Sequence, residues 1–368
     1  MIYVTITFFL FFLRYVLRKD NLARNQIYYI ILLALFLFSS FRYQIGCDWS
    51  GYYYMFLKTK NYEWSQINSV NRDIFSFAIF YLIHKLGLSY PFVNIIYGFV
   101  FFIGVHVLAR RQLDPLGFLV LLFPILIINM PMSGMRQAAA IGVICIALSN
   151  FIDRRPVNFL FWVIIAIGFH SSAIIFLILL PFVNGRYNNT RIIFSIFLCI
   201  PGLIFVLLSG TAQNAFKAYI LSDRESYGAL FRVSSLMLSG LYFFIFVKKK
   251  WKRFFPKDYN IVSIGSLGMI LLIILVPIST TISDRFGYYF IPIQAMIFAR
   301  LPFFSFGLSQ YLNTALPYMF LFILFIIWTF TSVHFEKCYT PYDTWIFGIF
   351  GRDLLKTPII EGYIDLIN

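Results

Sequence analysis

Of the chain's 368 residues, 60% are hydrophobic and only 12% charged, with 30 Lys and Arg against 15 Asp and Glu and a formal charge of +15. A mean hydropathy of +0.81 excludes a water-soluble globule, which could not keep so much apolar area off its surface. The basic excess does not indicate a nucleic-acid partner, because most of it flanks apolar runs and no nucleic-acid motif accompanies it.

The predicted elements are membrane helices. In chain order the apolar segments run Ile2 to Leu17, Ile27 to Phe41, Ile74 to Ala109, Pro115 to Met130, Gln137 to Ile152, Val157 to Val183, Ile192 to Ser209, Val233 to Val247, Ile261 to Ile278, Phe286 to Leu301 and Leu312 to Val333. With flanking aromatics completing the shorter ones, they predict an all-α polytopic membrane protein of about 11–12 transmembrane helices. Residues 1–368 form one membrane domain, with no room for a separate soluble catalytic domain. The first segment has no preceding basic region and no small-residue cleavage site, and reads as a retained span.

Topology follows from the basic loops. Placing Arg18-Lys19 with Arg24, Arg110-Arg111, Arg154-Arg155, Arg186 with Arg191, and the cluster Lys248 to Arg253 in the cytoplasm fixes five points. That last cluster also suits anionic lipid headgroups. Parity then makes Asp73 to Leu88 an interfacial or re-entrant piece before one true span. It makes Val157 to Val183 a hairpin of short helices or a dip into the membrane, with Gly168-Phe169-His170-Ser171 at its turn. The loops 42–73 and 210–232, Pro131 to Arg136, Ser279 to Arg285, the His170 turn and the tail 334–368 all fall on the external face. Arginines there run against the positive-inside bias, so orientation does not explain them.

Four constellations on that face are candidates for chemistry. In Phe41 to Tyr54, Arg42 and Asp48 stand among glycines and aromatics that include Tyr52 and Tyr53. Aromatic faces stack on sugar C–H surfaces and a carboxylate accepts hydroxyl protons; the competing reading is an interfacial belt with a structural Arg42–Asp48 ion pair. In Pro131 to Ala140, a Gly-containing bend delivers Arg136 and Gln137 to the start of a helix, where N–H groups and a guanidinium suit a phosphate or pyrophosphate. Simple capping and close packing through the alanines is the alternative. His170, at the forced turn, is either a satisfied structural group or a proton-transfer residue. In Ser283 to Phe290, Arg285 opens a helix beside Asp284 and Tyr288, as a ligand-binding group or as an interface anchor.

Cys145 and Cys199 lie within apolar runs; Cys47 and Cys338 fall on the same face, which allows a disulfide without requiring one. The sequence contains no P-loop, GxSxG elbow, HExxH or metal-binding DxD pair. Nucleotide-driven transport, hydrolase chemistry, zinc catalysis and metal-dependent nucleotide-sugar transfer therefore lack support, and no cofactor or metal is expected.

Four stretches, Arg42 to Phe56, Ser133 to Val143, Gly168 to Leu177 and Ser283 to Phe290, resemble in order the motifs of the EpsG-like branch of the Wzy-type O-antigen and exopolysaccharide polymerases. The resemblance implies a GT-C-like fold in the bacterial inner membrane with a periplasmic active site. It implies transfer of a growing glycan from undecaprenyl pyrophosphate to a lipid-linked repeat unit, in lipopolysaccharide or exopolysaccharide biosynthesis. Partners would be undecaprenyl-pyrophosphate-linked oligosaccharides, membrane lipids and a chain-length regulator protein, with no nucleic acid. Carried over, it points to Asp48, Arg136, His170 and Arg285. On this expectation Arg136 and Arg285 neutralise the departing pyrophosphate and Asp48, or else His170, takes the acceptor's proton. The rivals are a lipid-linked oligosaccharide flippase or other transporter, O-antigen ligase and, more distantly, a membrane acyltransferase. A flippase would line a central cavity with charge, whereas here charge gathers at one face.

Overall fold

The computed structural model describes residues 1–17, 21–60, 62–64, 73–184, 190, 191, 193, 195, 228–304 and 308–348. Arg18, Lys19, Arg186, the segment Ile192 to Ser209 (apart from residues 193 and 195), and most of the 210–232 loop fall outside these residues. What is described is an all-α bundle with no strand and a single isolated bridge, between Arg42 and Thr344.

The bundle is built from α1 (Ile2–Val16), α2 (Asn21–Ser40), α3 (Trp49–Lys58), α4 (Ile74–Lys85), α5 (Pro91–Ala109), α6 (Pro115–Leu122), α7 (Met135–Ile152) and α8 (Pro156–Phe169). A 3-10 helix follows at Ser171–Phe182. Next come α9 (Ala229–Phe254), α10 (Tyr259–Leu271), α11 (Thr280–Arg300), α12 (Leu308–Thr331) and α13 (Val333–Tyr339). Five of the described helices are long and apolar enough to cross a membrane and six shorter ones are apolar, so the chain is a polytopic membrane protein.

α7 is the axis of the bundle. Its first turns carry Ala138, Ala139 and Ala140, all essentially inaccessible, so neighbouring backbones can approach closely. The approach to α5 is tightest at Gly104 and Gly142: a Cβ at Gly104 would stand 1.8 Å from the Gly142 carbonyl oxygen. α8 packs on the other side of α7, and the 3-10 helix folds back along α8. At 14 and 12 residues, with rises of ~1.5 and ~2.0 Å per residue, both are shorter than a ~30 Å hydrocarbon layer. The 157–183 stretch is thus a hairpin of short helices that turns at His170, whose backbone is extended (φ −156°, ψ 122°).

Among the described residues the ion pairs gather at the two ends. At one end Arg14 pairs with Asp114, which also draws Arg24 to 3.8 Å and caps α6 by accepting from Gly117 N at 2.9 Å. There too Arg300 pairs with Asp258 and Arg111 with Asp153, tying α11 to the start of α10 and α5 to α7. The Arg111 hydrogen bond holds the Asp153 carboxyl below its usual range. These are helix-end clasps between groups too costly to leave unpaired near lipid.

The opposite end holds the four sequence constellations. α4 lies across it: Asp73, before the helix, meets Arg136, and His84, in its last turn, bonds Phe56 O of α3 at 2.8 Å. Twelve residues reach only ~18 Å, in keeping with an interfacial piece rather than a span. Two boundaries differ from the sequence reading. α9 continues through the basic cluster Lys248 to Arg253 to Phe254. α11 starts at Thr280, because the Ser279 hydroxyl accepts from Ile282 N at 3.3 Å and caps it. Arg285 therefore sits in the second turn of α11 rather than opening the helix.

Candidate active site

The bend before α7 comes from Pro131, Ser133 and Gly134, with Gly134 as the cap residue. It places Arg136 in the first turn, where Nη1 donates to Asp73 Oδ2 at 2.8 Å and the guanidinium lies 5.4 Å from the centre of the Tyr52 ring. Arg136 Nε is buried and has no hydrogen-bond partner among the described residues. An Arg held on one side by a carboxylate, with an unmet donor beside it, is poised for a further anionic group.

Asp73 connects Arg136 to the hairpin turn, since its Oδ1 accepts from Ser171 N at 3.2 Å. Burial pushes its carboxyl above the usual range, and Arg136 and the Ser171 N–H pull it back. Next to it, His170 Nδ1 lies 2.6 Å from Ser172 Oγ and accepts from Ser172 N at 3.3 Å. Ser172 Oγ is 3.0 Å from the Tyr289 hydroxyl. Desolvation first, then the positive charges of Arg136 and Arg285, push the imidazole well below its ordinary range. His170 is therefore neutral near pH 7, with Nδ1 as an acceptor and Nε2 carrying the hydrogen. Gln137 closes the arrangement by donating from Nε2 to the Arg285 carbonyl at 2.5 Å.

Arg136, Gln137, His170, Arg285 and Tyr52 are thus brought together from four separate stretches of chain. A second unit stands beside them on α11 and α9. Arg232 Nε and Nη2 donate to the two oxygens of Asp284 at 2.6 and 2.7 Å, and its guanidinium is 5.6 Å from the Tyr288 ring centre. Asp48 is placed differently. It is exposed, before α3, and its backbone N donates to Ser133 Oγ at 3.3 Å.

Arg42 is buried, with three donors directed at Ser39 O (2.8 Å), Ile45 O (3.1 Å) and Asn94 Oδ1 (3.2 Å). It makes no ion pair with Asp48; it organises the turn after α2. In that turn Gly46 has φ 104°, and a Cβ there would stand 1.8 Å from the Met132 carbonyl oxygen, so the 42–48 loop seats on the bend before α7 only through glycine. Tyr53 belongs to an aromatic core, 5.3 Å from Trp49 and 5.5 Å from Tyr90 between ring centres.

Cys47 and Cys338 form a disulfide across 291 residues of sequence. It anchors α13 to the 42–48 loop, where Gly46 N also donates to Cys338 O at 2.8 Å. His334 joins these sulfurs in the group whose spacing would suit a metal, but disulfide sulfurs offer no thiolate, leaving the imidazole alone.

Sequence reasoning missed Asp73, Ser172, Tyr289 and Arg232. Asp73 marked a segment boundary and Arg232 a loop end, and each finds its partner 63 or 52 residues away. The one signal for Asp73 was general: an Arg at membrane depth needs a counter-ion.

The family model of the EpsG family matches residues 25–344, most of the chain and the whole of the cluster just described. Comparison with curated proteins and with solved structures gave no match.

Proposed function

The chain belongs to the EpsG family, of polysaccharide-polymerase type, and on that footing we propose that the Arg136–His170 cluster is the active centre of a glycosyltransferase. It would move a growing glycan from a polyprenyl pyrophosphate carrier to the next lipid-linked repeat unit. The acceptor hydroxyl oxygen attacks the anomeric carbon as the bond from that carbon to pyrophosphate breaks, and the lipid pyrophosphate leaves. Arg136 and Arg285 stabilise the negative charge that collects on it. The proton passes to neutral His170, through Ser172 Oγ at 2.6 Å from Nδ1. Asp48, exposed at the rim, is the second candidate for that proton. Gln137 holds the Arg285 backbone, Tyr52 flanks the Arg136 guanidinium, and Tyr288 flanks that of Arg232 in the neighbouring unit. In this reading the charged end of the bundle faces the periplasm from the inner membrane, and two guanidinium groups do the work of a metal.

The observation that supports it most is the unmet donor of Arg136 beside a neutral imidazole. The test is complementation of a polymerase-deficient strain. The wild-type chain should restore a ladder of glycan lengths, and His170→Gln, if normally inserted, should leave single repeat units. Restoration of the ladder by His170→Gln and by Asp48→Asn would remove both from the proton transfer.

A further inference from the structure

We infer that Tyr289 is a positioning residue: its hydroxyl donates to Ser172 Oγ and turns the Ser172 hydroxyl proton toward His170 Nδ1, making a one-way chain from Tyr289 through Ser172 to the imidazole. The direction of that chain rests on geometry. Its part in catalysis rests on the proposed function.

One backbone group sets the direction. His170 is the cap residue of the 3-10 helix Ser171–Phe182, and its Nδ1 accepts from Ser172 N at 3.3 Å. A peptide N–H can only donate, so Nδ1 carries no hydrogen and the imidazole hydrogen is on Nε2. The Ser172 hydroxyl, 2.6 Å from the same nitrogen, must then donate to it. A hydroxyl has one hydrogen and two lone pairs. With that hydrogen directed at Nδ1, Ser172 Oγ can only accept from the Tyr289 hydroxyl at 3.0 Å.

Burial divides the roles of the two hydroxyls. Tyr289 is 1% exposed, with its ring centre 5.4 Å from that of Phe176, so it is out of reach of a sugar. Ser172 is half-buried, and its second lone pair is left for an incoming hydroxyl. In the transfer, the acceptor hydroxyl gives its proton to Ser172 Oγ as Ser172 gives its own to Nδ1, while the acceptor oxygen bonds to the anomeric carbon. Ser172 ends as it began, and His170 becomes the imidazolium, which then loses the proton to water. Negative charge grows on Oγ while the two protons are in motion. The Tyr289 O–H is aimed at that oxygen before the reaction starts, as the donors of an oxyanion hole are. Arg285 stands four residues earlier on α11, on the same face as Tyr289. One helix thus carries both a cation for the leaving group and the donor that orients the relay.

The test is nitrogen NMR of the full-length protein in nanodiscs with isotope-labelled histidine, the His170 signals being assigned among the four histidines by their loss in His170→Gln. Near neutral pH, Nδ1 should be free of hydrogen and Nε2 should carry one. In Tyr289→Phe the Nδ1 signal should move toward that of a nitrogen with no donor, because the Ser172 hydroxyl loses the group that polarised it. Ladder formation by Tyr289→Phe at equal protein level should fall about tenfold or more. A hydrogen on Nδ1 in the wild-type protein overturns the chain's direction, and that spectrum needs no variant to fold. An unmoved Nδ1 signal in Tyr289→Phe, or a normal ladder from it, overturns Tyr289 as the positioning residue. The two readings separate: a hydrogen-free Nδ1 in a wild-type chain that fails to complement removes the polymerase and keeps the chain of hydrogen bonds, whereas a normal wild-type ladder with a hydrogen on Nδ1 removes the chain alone.

Discussion

Arg136 carries the most consequence for a single side chain. Asp73 takes one of its N–H groups at 2.8 Å while Nε stays buried and unmet, so the planar fork matters more than the charge. Arg136→Lys keeps the charge and loses the fork. A lost hydrogen bond to a charged group is worth about 1.5–3 kcal/mol, so polymer formation should fall roughly 10- to 100-fold at unchanged protein level, read as ladder intensity from membranes. His170 makes a prediction in pH. Its folded pKa lies well below the ordinary value because burial and two cations disfavour the imidazolium. The free base is then fully present above about pH 6.5, so the in vitro rate should be flat from there to pH 8 and fall only as acid protonates the ring. A rate rising through pH 6.5 to 7.5 would show an unperturbed histidine or another base. Both residues stand out as candidates in the sequence because each lies in a distinctive local string at a position where topology gave an arginine or histidine no orienting role. Asp73 could not, since nothing local distinguishes an acid in a polar loop from the one acid that folding brings to Arg136.

At the scale of elements, the site depends on glycines that let backbones touch. Gly104 and Gly142 set the crossing of α5 and α7, and any side chain at Gly142 meets Phe101 Cα at 2.5 Å. Gly142→Leu should cost at least about 1–3 kcal/mol of overpacking and tilt the first turn of α7, seen as a lower melting temperature in detergent together with loss of polymer. Gly142→Ala should do the same to a lesser degree. Hydrophobic runs and parity made the hairpin at His170 and the short α4 before α5 legible in advance, because a segment too long to cross once must bend and one of twelve residues is too short to cross. Helix starts were less legible. The cap at Ser279 is one hydroxyl accepting one N–H, and it moved Arg285 into the second turn of α11. The long reach of α9 through Lys248 to Arg253 was hidden because charge ends an apolar run without ending a helix.

For the whole molecule, the two charged ends are built differently. One is a set of clasps between helix termini, Arg14–Asp114, Arg300–Asp258 and Arg111–Asp153; the other gathers an imidazole, an unmet arginine donor and a disulfide into one neighbourhood. The disulfide predicts which compartment that second end faces. Cys47–Cys338 persists only where the environment oxidises thiols, so in intact cells a membrane-impermeant maleimide should label these cysteines only after mild reduction, and Cys338→Ser should expose Cys47 to it directly. Labelling only after the membrane is permeabilised would place the site on the cytoplasmic side. The central claim, that the Arg136–His170 cluster joins exported units rather than exporting them, is tested most directly by the leaflet that holds lipid-linked repeat units in an Arg136→Lys strain. The account predicts single units accumulated on the outer leaflet, accessible to a lectin or glycosidase added outside the inner membrane. Units held on the cytoplasmic leaflet, inaccessible until the membrane is opened, would contradict it.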